Sequence, residues 1–450
     1  MTSRLAQSTA LLFLLWAASA AGAVIHYVDL NNPGAAPPYA SWSTAATNIQ
    51  DALDAATAGD TILVTNGIYQ TGGRVLPAST VTNRVVVDKA VTVRSVNGPT
   101  VTSIRGYQIP GTTNGPGAVR CVYLADGAVL VGFTLTNGAT LAGGEDIQDG
   151  GDSSGGGILC QSANVTVSNC VLAGNAAGDF GGGADRGTFY DCLFWANWAT
   201  PGVGSYGGAS LDGRLYNCTL AGNQADSGGG LAFGSANNCI IYYNGDIGND
   251  CSFVAPDHTC TPADPGGVGN ITNEPAFIDL SGGNFRLQSN SPCINAGNNL
   301  SAPAGPDLDG NPRTAGGTVD LGAYEFQSPA SIISYAWLEL YGFSTDGAAD
   351  FLDSDNDGMN NWQEWRAGTD PTDPLSALIL LTPAPSDQDI IITWQSVNNV
   401  NYHLQRSDSL GASMIFAPLA TNLVGQAGTT SYTDLNAAIS GPHFYRVGVE

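Results

Sequence analysis

Four acidic side chains recur at fixed intervals near residue 360: Asp353, Asp355, Asp357 and Glu364, with Gly358 after the third. The phrase Asp353-Ser354-Asp355-Asn356-Asp357-Gly358-Met359-Asn360-Asn361-Trp362-Gln363-Glu364 puts carboxylates at the first, third, fifth and twelfth places and glycine at the sixth. That order suits a calcium ion, which takes roughly six to eight oxygen ligands. The aspartates and both oxygens of Glu364 would supply most of them, the Met359 carbonyl another, and Asn361 or a water it holds the last. Without a cation, carboxylates this close repel one another. The eighth place, usually apolar, is Asn360, and 346–352 makes a poor helix, so the pattern is a lone loop with a structural role at a joint between domains.

A second set could do acid–base chemistry. Asp185-Arg186 and Asp212-Gly213-Arg214 lie on successive repeats, after an acidic stretch with Glu145, Asp146, Asp149 and Asp152. Arg186 or Arg214 would serve as the base of a calcium-dependent elimination on a uronate, with Asp185 and Asp212 as metal ligands. Paired carboxylates would equally suit a glycoside hydrolase, and surface ion pairs are the plain alternative. Aromatic residues form a third set. Trp195 and Tyr242 fall three past a cysteine, two coils apart and so about 10 Å along the axis, which suits stacking on a glycan with Trp198 and Tyr206 nearby. A loop laid over them would bury them instead. His26, His258, His403 and His443 are scattered, and no nucleophile triad or phosphate-cradling loop stands out.

These residues sit on a repeat. Four phrases run from a glycine cluster (Gly155–Gly157, Gly181–Gly183, Gly207–Gly208, Gly228–Gly230) to a polar residue and cysteine, then to an asparagine five residues on. Cys170, Cys192, Cys218 and Cys239 are 22, 26 and 21 residues apart, and Asn175, Asn197, Asn223 and Asn244 keep those intervals. Such a period predicts a solenoid whose coils bury their apolar faces only by stacking. Strand alternation turns Leu172, Phe194, Leu220 and Ile241 inward with the cysteines, and the asparagines become an internal ladder. Stacked cysteines are too far apart for a bridge between coils, so a buried thiol ladder is expected. A short helix over 48–58, with a capping box from Thr47 to Gln50, would cover the first coil and shield its edge.

Composition narrows the partners. Thirty-nine acidic residues face 14 basic ones, for a net charge of −25, and Lys89 is the single lysine. No useful basic patch can be built, which argues against nucleic acid. Arg4, the run from Leu11 to Trp16 and the small residues up to Ala23 read as an export signal over 1–23, too short to span a membrane. Nine cysteines in an exported chain invite disulfides. Cys251 and Cys260, bracketing a loop, are the best pair, with zinc held together with His258 as the alternative.

The chain resembles exported bacterial right-handed parallel β-helix proteins. The cues are Ile49-Gln50-Asp51-Ala52, Gly59-Asp60-Thr61-Ile62-Leu63-Val64 and Asn66-Gly67-Ile68-Tyr69. The Gly-Gly and Asn-Cys-x-x-x-x-Asn repeats are similar to those of polymorphic outer-membrane proteins. Ser291-Pro292-Cys293-Ile294-Asn295-Ala296-Gly297, 307–313 and 320–325 resemble the choice-of-anchor Q ending. The acidic loop resembles dockerin or thrombospondin-type repeats. The resemblance implies an all-β chain: a pectate-lyase-like parallel β-helix over 24–327, a linker helix and calcium loop over 328–374, and a fibronectin-like β-sandwich over 375–450, with Trp394 as its core anchor. It implies no agreed activity. The expectation is a secreted or cell-surface monomer that binds a polysaccharide or cell-surface glycan without catalysis, calcium being structural. A polysaccharide lyase or hydrolase on the same scaffold is the alternative.

Overall fold

The computed structural model describes residues 23–77, 79–143, 151–202, 204–245, 250–410 and 415–449. The segment expected to direct export, Ala23 apart, lies outside them, as do Glu145, Asp146 and Asp149.

Strands of two to six residues recur in three columns, each too short to stand without its neighbours. The first sheet has eight parallel strands from Ile25–Val28 to Ser235–Asn237, and the second has seven from Gly67–Tyr69 to Ile240–Ile241. The third has eight, from Arg74–Val75 to Cys251–Ser252, parallel except for its first pair. The fold is a three-sided parallel β-helix. Leu172, Phe194, Leu220 and Ile241 stack in register inside it, all fully buried. The glycine clusters are dictated by coil spacing: a β-carbon at Gly183 would meet the Ala209 carbonyl of the next coil at 2.5 Å.

The cysteines are free thiols, all buried except the half-buried Cys251. Each of the four in the repeat donates to the carbonyl two residues earlier, as Cys192 does to Tyr190 at 3.2 Å. The asparagine ladder is continuous. Asn175 donates through Nδ2 to Asn197 Oδ1 at 2.9 Å, Asn197 to Asn223 at 2.9 Å, Asn223 to Asn244 at 2.8 Å, and Asn244 to Asp250 at 2.7 Å.

The cap is helix α1, Ile49–Ala55, which buries Ile49, Ala52 and Leu53 on the first coils. Its N-cap is Asn48, whose side chain accepts from the Asp51 N–H, rather than Thr47. Gln50 instead pairs with both backbone groups of Val86 in the third sheet.

A second core lies outside the second sheet. The hairpin Phe277–Asp279/Asn284–Leu287 and helix α2, Tyr335–Leu340, pack there with Cys260, Cys293, Ile294 and Leu321. Between them residues 298–326 run as a strap along the coils. It is held by the residue that precedes each cysteine: Asn169 donates to the carbonyls of Pro306 and Asp307, Asp191 accepts from Arg313, Asn217 donates to Asp320, and Asn238 exchanges two bonds with Asn298.

Helix α3, Asn361–Ala367, follows the acidic loop, with a full capping box between Asn360 and Gln363. That N-cap explains the polar residue at the loop's eighth place. Beyond it, two three-stranded antiparallel sheets enclose Ile392, Trp394, Tyr402 and Leu404 as a small β-sandwich. The strand Ala417–Val424 was not expected from its pattern, which is exposed along most of its length.

Candidate functional site

Two places collect chemistry-bearing side chains. The first is on the outer face of the third sheet, where the register Ala184↔Ser210↔Leu231↔Cys251 stacks four coils. The residue after each strand carries a left-handed backbone: Arg186, Asp212, Phe233 and Phe253, with φ of 60°, 49°, 56° and 57°. Their side chains therefore share one edge of the sheet. Phe180 and Tyr206 enter from its other end, in register.

Asp185, Arg186 and Asp212 line one groove of about 350 Å³ with Phe180, Leu211 and Ser154. Arg186 grips the buried Asp185 through Nε at 3.3 Å and a terminal nitrogen at 3.0 Å, and reaches the Gln161 carbonyl at 3.2 Å. Burial raises the Asp185 carboxyl, partly offset by Arg186. Burial alone would lower the Arg186 guanidinium, but the Asp185 charge and hydrogen bonds hold it above its ordinary value. A guanidinium held this way cannot serve as a base. Arg214 is not in the groove. The chain turns a corner at Gly213, so Arg214 stands exposed on the first sheet between Thr188 and Ser235. The four residues expected to act together are thus divided, three against one.

Behind the groove lies a residue that sequence reasoning missed. Arg120 is fully buried and donates to the Gly151, Ser154 and Gly155 carbonyls and to Asn83. Its only sequence signal is a charge in an otherwise apolar strand, Val119–Leu124. Asp152 is also buried, accepting from Ser79 and from Thr80 twice.

The aromatic residues are redistributed. Trp195 does point away from the solenoid axis, but the hairpin covers it, with Phe285 edge-on at 5.7 Å. Tyr242 is half-buried beside Tyr243, its hydroxyl 3.4 Å from the Thr272 carbonyl. Trp198 packs against a small alanine cluster, and Tyr206 alone of the four joins an open surface. That surface holds Phe180, Tyr206, Phe233 and Phe253 with centroid spacings from 4.7 to 6.5 Å. Phe233 is 48% exposed and Phe253 71%. The alternation rule placed the side chains correctly relative to their strands; what it lacked was the cover, which comes from distant residues.

Cys251 and Cys260 are not bridged. Cys251 ends the third sheet beside Leu231, whereas Cys260 pairs with Ile240 on the second and donates to the Asn273 carbonyl. They occupy different sides of the solenoid. Among the described residues no cysteine–histidine group has metal-ligand spacing.

The second place is the acidic loop. Ligand oxygens of Asp353, Asp355 and Asp357 lie within 4.8 Å of one another. Glu364 is fully buried, and one oxygen each of Asp355, Asp357 and Glu364 is buried without a hydrogen-bond partner. Burial, then the Asp355 and Asp357 charges, push the Glu364 carboxyl up to about 7. The Asp353–Asp355–Asp357 cluster, with orphaned carboxylate oxygens on Asp355 and Asp357 and another on Glu364 within reach of their charges, fits a bound cation. Asn361 fits less well as a ligand, since its oxygen accepts from Ser354 and its amide donates to the Ala349 carbonyl. Met359 ties the loop forward: its N–H donates to Asp357 and its sulfur accepts from Leu378 N–H at 3.2 Å.

No family model matches the sequence, and no curated protein matches it either. Among solved structures, a rhamnogalacturonan lyase is similar with a TM-score of 0.34 and 13% identity, covering 53% of this chain and 68% of that one. Pectate lyase Pel9A is similar with a TM-score of 0.34 and 14% identity, covering 68% and 97%.

Proposed function

We propose that this chain is an exported, monomeric β-helix protein whose solenoid binds a glycan without catalysis and whose joint to the terminal sandwich is stiffened by calcium. The observation that supports it most is the open aromatic surface of Phe180, Tyr206, Phe233 and Phe253 beside a polar groove. Aromatic faces and edges bind the apolar faces of sugars, and Asp212 with the Asp185–Arg186 pair offers hydroxyls both acceptors and donors. The net charge of −25 favours a neutral polysaccharide or cell-surface glycan over an acidic one.

The test is retention by immobilised neutral polysaccharides. Phe253→Ala and Phe233→Ala should each weaken binding about 10-fold with little change in Tm, since both rings are exposed. Unchanged retention in the double variant would end the reading. The lyase alternative is favoured by Asp185, Arg186 and Asp212 sharing one groove. It is opposed by the pairing of Arg186 and by the position of Arg214. Ultraviolet absorbance from unsaturated uronate ends, with calcium and with chelator, separates the two.

Asp353, Asp355, Asp357 and Glu364 would hold the calcium, which supplies the positive charge their orphaned oxygens lack. Calcium should raise the temperature at which the 346–378 segment unfolds, and Glu364→Gln should remove most of that gain. Equal Tm in calcium and in chelator would refute the assignment.

A further inference from the structure

The terminal sandwich brings three residues together that the sequence holds 32 and 35 positions apart. Asp408 follows the strand Asn401–Ser407, and His443 precedes the strand Phe444–Val449. The pairing Ser407↔Phe444 therefore sets Asp408 beside His443. Ser440 ends the short turn Ala437–Ile439, one residue before Gly441. His443 Nδ1 lies 2.6 Å from Asp408 Oδ1, and Nε2 lies 2.9 Å from Ser440 Oγ. A carboxylate on Nδ1 fixes the proton there and leaves the Nε2 lone pair facing the hydroxyl. The imidazole side chain is only 3% exposed, so its orientation is held by packing, with Tyr445 at 6.4 Å. Ser440, in contrast, is exposed. The Gly441 N–H, next to the nucleophile position, has no hydrogen-bond partner among the described residues. In the resting arrangement the Ser440 hydroxyl also has the Asn436 and Ala437 carbonyls at 3.1 and 3.4 Å as alternative acceptors.

We infer that Ser440, His443 and Asp408 form an acyl-transfer site for short carboxylic esters on accessible hydroxyls. Ser440 Oγ adds to the ester carbonyl carbon while its proton passes to His443 Nε2. The developing oxyanion takes the Gly441 N–H. The carbon–oxygen bond to the leaving group then breaks, and that oxygen receives the proton from Nε2. Water attacks the acyl-serine, gives its proton through His443 back to Ser440 Oγ, and releases the carboxylic acid. Ser440 is exposed and Asp408 is 71% exposed, so the site lies open at the surface and acetyl-sized groups suit it. The inference is independent of glycan binding on the solenoid.

The full chain should hydrolyse p-nitrophenyl acetate. Ser440→Ala should lower kcat/KM by about 100-fold or to the buffer rate, and Asp408→Asn should lower it by about 10-fold. A fluorophosphonate should label Ser440 in the native chain and not in His443→Gln. Ser440→Ala removes one exposed hydroxyl, so its fold is checked simply by an unchanged Tm. Hydrolysis at the buffer rate by the native chain, or undiminished hydrolysis by Ser440→Ala, overturns the inference. So does labelling that avoids Ser440.

Discussion

Two rows of polar residues, six positions apart in the same repeat, behave in opposite ways. The inner row, Asn175, Asn197, Asn223 and Asn244, closes on itself, each amide bonding the next. The outer row, Asn169, Asp191, Asn217 and Asn238, has backbone φ between 48° and 54°, a left-handed turn that asparagine and aspartate tolerate best. Having served the turn with their backbones, these residues turn their side chains mainly to a partner outside the repeat, the 298–326 strap, with one bond inside the row, from the Asn238 amide to Asn217 Oδ1 at 3.2 Å. One row thus builds the solenoid, and the other is what the solenoid presents to the rest of the chain. A repeat position need not have a repeating role.

The largest break should come from the inner row. Asn197→Ala removes the acceptor for both the backbone N–H and the amide of Asn175, and it removes the donor to the Leu172 carbonyl at 2.8 Å. Several buried groups lose partners at once, for a cost of roughly 3–5 kcal/mol. Among the strap's contacts, Arg313→Met should come next, at roughly 3 kcal/mol. It leaves Asp191 and Glu325, which Arg313 touches at 2.8 and 3.2 Å, buried without their counter-charge. Asn217→Ala should cost less, about 1–2 kcal/mol, since it loses the bond to the Asp320 carbonyl, the acceptor for the Asn238 amide at 3.2 Å and part of its turn preference. Denaturant unfolding ranks the three. If Asn217→Ala matched Asn197→Ala, the distinction between the rows would collapse.

This ranking also explains what could be read from the sequence. The inner ladder, the thiol column and the β-helix were legible because each residue's partner is its own equivalent one period away. The strap was not, because Asn169 meets Pro306 and Asp191 meets Arg313 across more than 120 residues with no period to announce them. The same limit hid the cover over Trp195 and Tyr242, whose outward direction was readable and whose burial was not. It hid the Ser440–His443–Asp408 relay as well, which depends on one strand pairing. By contrast, the acidic loop is local in sequence, and its converging oxygens were readable down to the departure at Asn360. Asn361 fits less well as a ligand because its side chain is engaged by the Ser354 hydroxyl, inside the motif, and by the Ala349 carbonyl, which precedes it; the spacing of carboxylates describes neither contact.

The smallest effect gives the sharpest comparison, because it depends on pH. Around Arg313 stand Asp191, Glu325, Asp320 and Asp307, all buried, with the Cys218 thiol nearby. Burial pushes the Asp191 carboxyl up to about 7, against the pull of Arg313, and does the same to Glu325. Asp320 is also raised, by burial and then by the Glu325 charge. In the unfolded chain these carboxyls return to the ordinary range near 4. Between about pH 4 and 7 the folded state therefore holds protons that the unfolded state has released. Their contribution to stability is present at low pH and is lost as pH rises through that window. Asp191→Asn keeps an acceptor for Arg313 but cannot titrate, so the loss in stability between pH 5.5 and 8 should shrink by roughly 1 kcal/mol. Chain-wide repulsion from the acidic surface also eases on acidification, but Asn197→Ala carries that same background. Its Tm should therefore fall by a similar amount at both pH values while that of Asp191→Asn does not. A slope in Asp191→Asn as steep as in the native chain would mean that the outer row, like the inner one, acts through hydrogen bonds alone.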